Sequence, residues 1–233
     1  MPAPDPILVV VAHPDDEVLG FGATGAILAT QGHPITACIL SAKAEARTAR
    51  PEIHELHADI LSAQRRLGFQ LPILGDFPNI RLNTIPHIEL VQFIENAITT
   101  TGATRIFTHH PADLNDDHGC TSRSCMAAAR LFQRRPSMPR LIELSFMEIP
   151  SATDWSLMPA PERFQPNSFF ETGKDGLKAK SEALEAYRRV MRPYPHPRSL
   201  EALEALAQLR GAQAGCNLAE AFQTVLRVER RIP

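Results

Sequence analysis

With 233 residues and 44% hydrophobic side chains, the chain is long enough for one sizeable α/β domain with a real core. Its formal net charge of −2, with no basic stripe, argues against nucleic acid or an anionic membrane surface as a general partner. The longest early apolar run spans 7–12, too short for a membrane span or a signal-peptide core, and no basic segment precedes it, so a cytoplasmic protein is expected.

Residues 7–12 (ILVVVA) are a continuous, mostly β-branched apolar run, the pattern of a strand buried on both faces of a parallel sheet. Helical spacing follows over 18–31, with Gly32 after its end. A second strand is expected over 35–40. Over 52–67, Ile53, Leu56, Ile60, Leu61 and Leu67 recur at helical intervals and Gly68 stops the helix. Residues 72–74 make a short strand at best. A helix over 86–99 starts on Pro86. The strand 105–108 runs straight into HHPADLNDDHGC, which leads into a helix over 118–134 and a strand over 141–147. Beyond that, 155–167 reads as irregular, helices are expected over 176–191 and 199–212 around the break RPYPHPRS, and 218–228 fits a strand or a helix. Without repeats or a second core, the expected organisation is one α/β domain over 1–233. Its core is about 5–150, and the loops and helices of 151–233 complete it.

The alternation of strand and helix predicts a Rossmann-like, mostly parallel sheet flanked by helices. Ligands of such sheets sit outside the carboxyl ends of the strands. Residues 13–17 and 109–118 both lie at such ends, so the topology can bring them together. The four cysteines, Cys38, Cys120, Cys125 and Cys216, have no CxxC spacing and read as reduced thiols.

Two signatures overlap after the first strand. Gly20-x-Gly22-x-x-Gly25 matches the dinucleotide-binding fingerprint, and Glu45 lies about twenty residues on, where a ribose-binding acid would stand. The first glycine comes seven residues after the strand, however, which places the glycines on the helix, where small residues allow close packing on the sheet. A dinucleotide-dependent oxidoreductase is therefore the runner-up. The other signature is His13, Asp15 and Asp16 in a tight turn. Burying these ionisable groups without a partner would be costly. A divalent cation removes the difficulty: His13 and Asp16, at i and i+3, can converge on one metal, leaving Asp15 for another task.

The string AHPDDE after a hydrophobic strand, with a later DH opening a helix, resembles the PIG-L/LmbE-type metal-dependent de-N-acetylases, which act on N-acetylated sugars including N-acetylglucosaminyl conjugates. The resemblance runs on through EIPSATDW (148–155), FQPNSFF (164–170), YPHPRSLEALEALAQLRGAQAG (194–215) and AEAF (219–222). It implies a Rossmann-like fold. It implies His13, Asp16 and His118 as ligands of Zn2+, with other divalent metals compatible with the donors. It also implies Asp15 as general base, an N-acetyl amino sugar or its conjugate as substrate, and a homo-oligomer. In that chemistry Asp15 takes a proton from the attacking water and can return it to the leaving amine.

One position departs from the family pattern. Many members carry a histidine three residues before the third ligand; here it is Asn115, which can donate a hydrogen bond but cannot titrate. Either Asn115 only stabilises the oxyanion or another residue supplies the proton, with His109 and His110 as candidates. The same departure motivates a third reading, a catalytically degenerate sugar-binding relative. Asp113 is expected to orient a ligand histidine, since ligating imidazoles donate their other N–H to a carboxylate or carbonyl. Arg47, with Arg50 as rival, stands where relatives place a substrate-binding arginine, and Asp76 or Asn83 could bind hydroxyls. His196 could simply shape its loop.

Overall fold

The computed structural model describes residues 4–43, 51–157, 159 and 162–229. The chain starts with β1 (Ile7–Val11), α1 (Asp16–Thr30), β2 (Ile35–Ile39), α2 (Ile53–Leu67), β3 (Ile73–Leu74), α3 (His87–Thr101) and β4 (Arg105–His109). It continues with α4 (Asp116–Ala128), the short α5 (Leu131–Arg134), β5 (Glu143–Met147), β6 (Ser168–Glu171), α6 (Gly173–Ala186), α7 (Leu200–Ala214) and β7 (Ala219–Arg227). The strands form one sheet in the order β3-β2-β1-β4-β5-β7-β6. The first five are parallel, and β7 runs antiparallel to both β5 and β6. This is the Rossmann-like, mostly parallel α/β sheet that the alternation predicted. Among the described residues, no helix is long and apolar enough to cross a membrane.

β1 is buried along its whole length because both of its faces are covered. Ile7, Val9 and Val11 face a core shared with Phe21 of α1, Ile60 of α2 and Leu184 of α6. Leu8 and Val10 face a second core with Ile94 of α3 and Cys125 of α4. β1 pairs with β2 on one side and β4 on the other, so it stands where the strand order reverses. That reversal opens a crevice at the carboxyl ends of β1 and β4.

α1 is buried without interruption from Asp16 to Ala26, and its glycines explain how. A Cβ on Gly20 would lie 2.6 Å from Ile149 Cδ1, and one on Gly25 would lie 2.4 Å from Phe69 Cζ. The glycines are contact points for neighbouring side chains, within the helix and not in a turn after the strand, so the dinucleotide fingerprint has no structural counterpart here. Glu45, its expected acidic partner, lies outside the described residues.

Several boundaries differ from expectation. The helix expected over 118–134 begins at Asp116, because Asn115 caps it by accepting the Asp117 N–H at 3.0 Å, and it breaks before α5. α6 ends at Ala186, five residues before the expected 191, in the turn that contains Arg189 at φ 64°. The open choice at 218–228 resolves as the strand β7. β6, half-buried at the sheet edge, was not anticipated. Through β6 and β7 the last third of the chain joins the same sheet. It is also fastened to α1: Lys180 Nζ donates to the Leu19 carbonyl at 2.6 Å and to Glu220 Oε1 at 2.8 Å, and the Glu220 carboxylate accepts the Ala23 and Thr24 N–H groups. Cys38, Cys120, Cys125 and Cys216 are free thiols, as their spacing indicated.

Candidate active site

Residues 13–15 turn directly from β1 into α1. Asp15 holds that turn with φ 99° and ψ −28°, left-handed geometry that costs a non-glycine residue about 1–3 kcal/mol. The turn is held by its neighbours: Glu17 Oε2 accepts the Asp15 N–H at 3.1 Å, and the Asp15 carbonyl accepts the Val18 and Leu19 N–H groups. Glu17 is fully buried and in turn accepts the Tyr187 hydroxyl at 2.5 Å and the Gln64 amide at 2.8 Å. Burial pushes its carboxyl up to about 8, against the Tyr187 hydroxyl that donates to it. Ile80 (φ 56°) and Ser151 (φ 71°) line the same cleft as Asp15. Strain of this kind collects at functional sites.

Asp16 Oδ2 is the hub of a buried cluster, 3.5 Å from His13 Nδ1 and 3.2 Å from His118 Nε2. Ligand atoms held at about 2.0–2.2 Å from a tetrahedral ion stand roughly 3.3–3.5 Å apart. The spacing therefore fits one small divalent cation, and the three side chains form a group able to hold one. Both ring nitrogens of His118 are buried without a well-formed hydrogen bond, and each faces a carboxylate oxygen, Nε2 that of Asp16 and Nδ1 that of Asp113.

Each histidine of the cluster is aimed by a carboxylate on its other nitrogen, as metal-binding imidazoles require. Asp113 Oδ1 lies 3.2 Å from His118 Nδ1 and is itself held by the Asn115 N–H at 3.1 Å, while Asp113 Oδ2 accepts the Thr153 hydroxyl at 2.9 Å. For His13 the partner is Asp117, whose Oδ2 lies 2.9 Å from His13 Nε2 and whose two oxygens also accept the Leu82 and Ile80 N–H groups. Asp117 was missed from the sequence, although it immediately precedes His118 in NDDH.

His109 is not a further ligand. Its Nε2 accepts the Ala12 N–H at 2.9 Å, and its ring stacks on His118 at 3.8 Å and 15°. A metal lies in the plane of a ligating imidazole, and two parallel stacked rings offer no common point. This excludes a second centre built from His109, Asp113 and His118, the other grouping the side chains suggest.

Burial opposes charge on all these groups, yet the Asp16 and Asp113 carboxylates push His118 up to about 10. Asp16 is held well below the usual carboxylate range, against its burial, by His118 and His13. Burial and the neighbouring His118 push His109 down to about 3, so its ring is neutral at ordinary pH.

The cluster forms one wall of a cavity of about 230 Å³, also lined by Asp15, Lys43, Asn79, Asn115 and Arg198. Asn115 Oδ1 is committed to capping α4, which leaves Nδ2 as its donor at the cleft. His110 does not reach the cleft. It packs edge-on against Phe146 and Phe164, and its Nδ1 accepts the Ala112 N–H at 3.2 Å. Asn83 is exposed on a 3-10 turn over a different depression, and Asn79 lines the cleft instead. Asp76 is almost fully exposed and touches the site only through Lys43, 2.8 Å away. His196 shapes its loop, accepting the Arg198 N–H on Nδ1 at 3.0 Å. Arg47 and Arg50 lie outside the described residues. Arg198, which sequence reasoning passed over, stands 3.5 Å from Asp15 Oδ2. It lies in the family-like stretch YPHPRS, where no chemical signal of its own singles it out.

A family model, PIG-L, GlcNAc-PI de-N-acetylase, matches residues 8–129. His13, Asp16, Asp113, Asp117 and His118 fall within that segment, and Arg198 falls beyond it. The chain is 32% identical over 129 residues to the uncharacterized deacetylase YaiS of Escherichia coli (strain K12), covering 53% of this chain and 68% of YaiS. Among solved structures, the conserved protein TT1542 of Thermus thermophilus superposes with a TM-score of 0.77 at 26% identity, over 97% of this chain and 96% of that one. GalB, the 4-carboxy-2-hydroxymuconate hydratase of Pseudomonas putida KT2440, superposes at 0.74 with 18% identity, over 98% and 100%. The fold thus also houses a hydratase, so the reaction has to be argued from the family and the residues of the cleft.

Proposed function

The chain belongs to the PIG-L de-N-acetylase family, and on that premise we propose that it is a zinc-dependent hydrolase removing the acetyl group from an N-acetylated amino sugar or its conjugate. The observation that carries this reading is the convergence of His13 Nδ1, Asp16 Oδ2 and His118 Nε2 beside Asp15 in one cleft. Zinc held by those three atoms would supply Lewis acidity and bring the pKa of a water towards about 7.

The rest of the chemistry belongs to side chains. Asp15 accepts the proton of the attacking water as that water adds to the acetyl carbon. Asn115 Nδ2 donates to the oxyanion that develops on the acetyl oxygen. When the C–N bond breaks, acetate forms and the amine needs a proton, and Asp15 returns the one it took. With His110 packed away from the cleft and His109 held by Ala12, a single carboxyl serves as base and then acid. Asp113 and Asp117 keep the two imidazoles aimed. Asn79 and Lys43 are the lining groups placed to meet sugar hydroxyls.

The test is acetate release from a panel of free and nucleotide-linked N-acetyl sugars, with metal analysis of the same preparation. The expected result is about one divalent ion per chain and acetate release that a chelator abolishes and zinc restores. A preparation that holds no metal, takes none up and releases no acetate across the panel would contradict the reading.

A further inference from the structure

Arg198 is the cleft's one arginine among the described residues, and it arrives from far outside the His13–Asp16–His118 cluster. The break RPYPHPRS between α6 and α7 holds it in place. Its N–H donates to His196 Nδ1, its carbonyl accepts the Arg192 N–H at 3.2 Å, and the next residue, Ser199, caps α7 by accepting the Ala202 N–H at 3.1 Å. The His196 ring in turn rests edge-on against Trp155, 5.5 Å away. The Arg198 side chain is half-buried, Nη1 stands 3.5 Å from Asp15 Oδ2, and Nε is enclosed by protein, so the terminal nitrogens are the ones that can meet a ligand in the cleft.

A guanidinium carries five N–H donors, more than the single Asp15 oxygen accepts, so its terminal N–H groups call for a further acceptor group. A bound anion in the cleft would be such a group. We propose that Arg198 is the anion-receiving residue of the cleft, oriented by Asp15 and donating to the acyl oxygen as it becomes an oxyanion and then the carboxylate of acetate. The inference rests on the deacetylase reading for the identity of that anion. It also answers the question that Asn115 raises. Asn115 can offer a neutral donor to an oxyanion, whereas Arg198 adds a fixed positive charge and several N–H groups. The proton for the leaving amine still comes from Asp15, and no bond to Arg198 forms or breaks.

The experiment compares the metal-loaded wild type with Arg198→Ala and Arg198→Lys, titrating sodium acetate by calorimetry. Metal content and melting temperature are measured on each. The expected result is acetate affinity lowered about tenfold or more in Arg198→Ala at unchanged metal content, as for loss of a charged hydrogen-bond donor. Arg198→Lys keeps a charge near Asp15 but loses the two-nitrogen terminal fork, and it falls in the same direction should the alanine variant fail to fold. For turnover, kcat of Arg198→Ala drops about a hundredfold, more than KM changes, and added methylguanidinium restores part of it. Equal acetate binding by wild type and both variants, or none by wild type, overturns the proposal, and a guanidinium that serves only to pair with Asp15 would give the first of these. Acetate binding that depends on Arg198, with no turnover of any N-acetyl sugar by wild type, would instead remove the deacetylase reading and leave the anion site standing.

Discussion

Two regions supply the cleft by opposite means. At the mouth of β1, His13, Asp15 and Asp16 are placed by the shortest possible route, a strained turn between a buried strand and a buried helix. The C-terminal third reaches the same place from a distance: Arg198 meets Asp15 across 183 residues of chain, and Tyr187 meets Glu17 across 170. The first region, joined by His118 from the start of α4, holds the group that could bind a metal, and the C-terminal third clamps and completes it. Two of the three groups come from nearby positions of one turn, whereas the third and the residues around them come from elements the sheet brings near.

If the C-terminal third is a clamp, breaking its fastening should cost stability more than it alters the metal cluster. Glu220→Ala leaves Lys180 buried without its carboxylate and removes acceptors from two N–H groups of α1. The expected loss is about 3–5 kcal/mol in denaturant unfolding, with metal bound stoichiometrically by the folded fraction. Loss of metal at unchanged stability would erase the distinction between the regions. A smaller effect is expected at the side-chain cluster itself: Asp117→Asn weakens the aim of His13, and metal affinity should fall about 10–100-fold in competition with a chelator. Unchanged affinity would mean that His13 is positioned by its turn alone.

A third effect is in pH dependence. In the metal-free protein His118 titrates at about 10 in the folded chain against 6.5 unfolded. Its contribution is therefore complete below about 6.5 and is lost as pH rises through 10. Glu17, raised to about 8 from 4.5, acts in the same sense over its own interval. Metal-free protein should lose melting temperature from pH 7 to 10, and metal-loaded protein should lose less, because a ligating imidazole is already neutral. Parallel curves for the two forms would show that His118 does not hold the metal.

The sequence made the first region readable because its signals are short-range. A β-branched run marked β1, and a histidine and two aspartates stood directly after it. The second region carries family-like stretches but no such chemical marks. Arg198 is one arginine of many until the turn around His196 points it inward, and β6 is four half-buried residues whose pairing only β7 reveals. His110 was misplaced for a related reason: it sits at a strand end as expected, but one residue past His109 its ring faces the other way, onto Phe146 and Phe164. Asp117 had a legible signal in its place beside His118. The gap there was assigning one orienting carboxylate where two ligand histidines need two.

The most direct test of the account replaces Asp15 by Asn and measures acetate release and metal content together. The account predicts that wild type releases acetate from an N-acetyl sugar, that Asp15→Asn loses about a hundredfold or more of that rate, and that both hold one divalent ion per chain. Equal rates in the two proteins, or loss of the metal along with the rate, would contradict the separation of base from metal-binding groups at the mouth of β1.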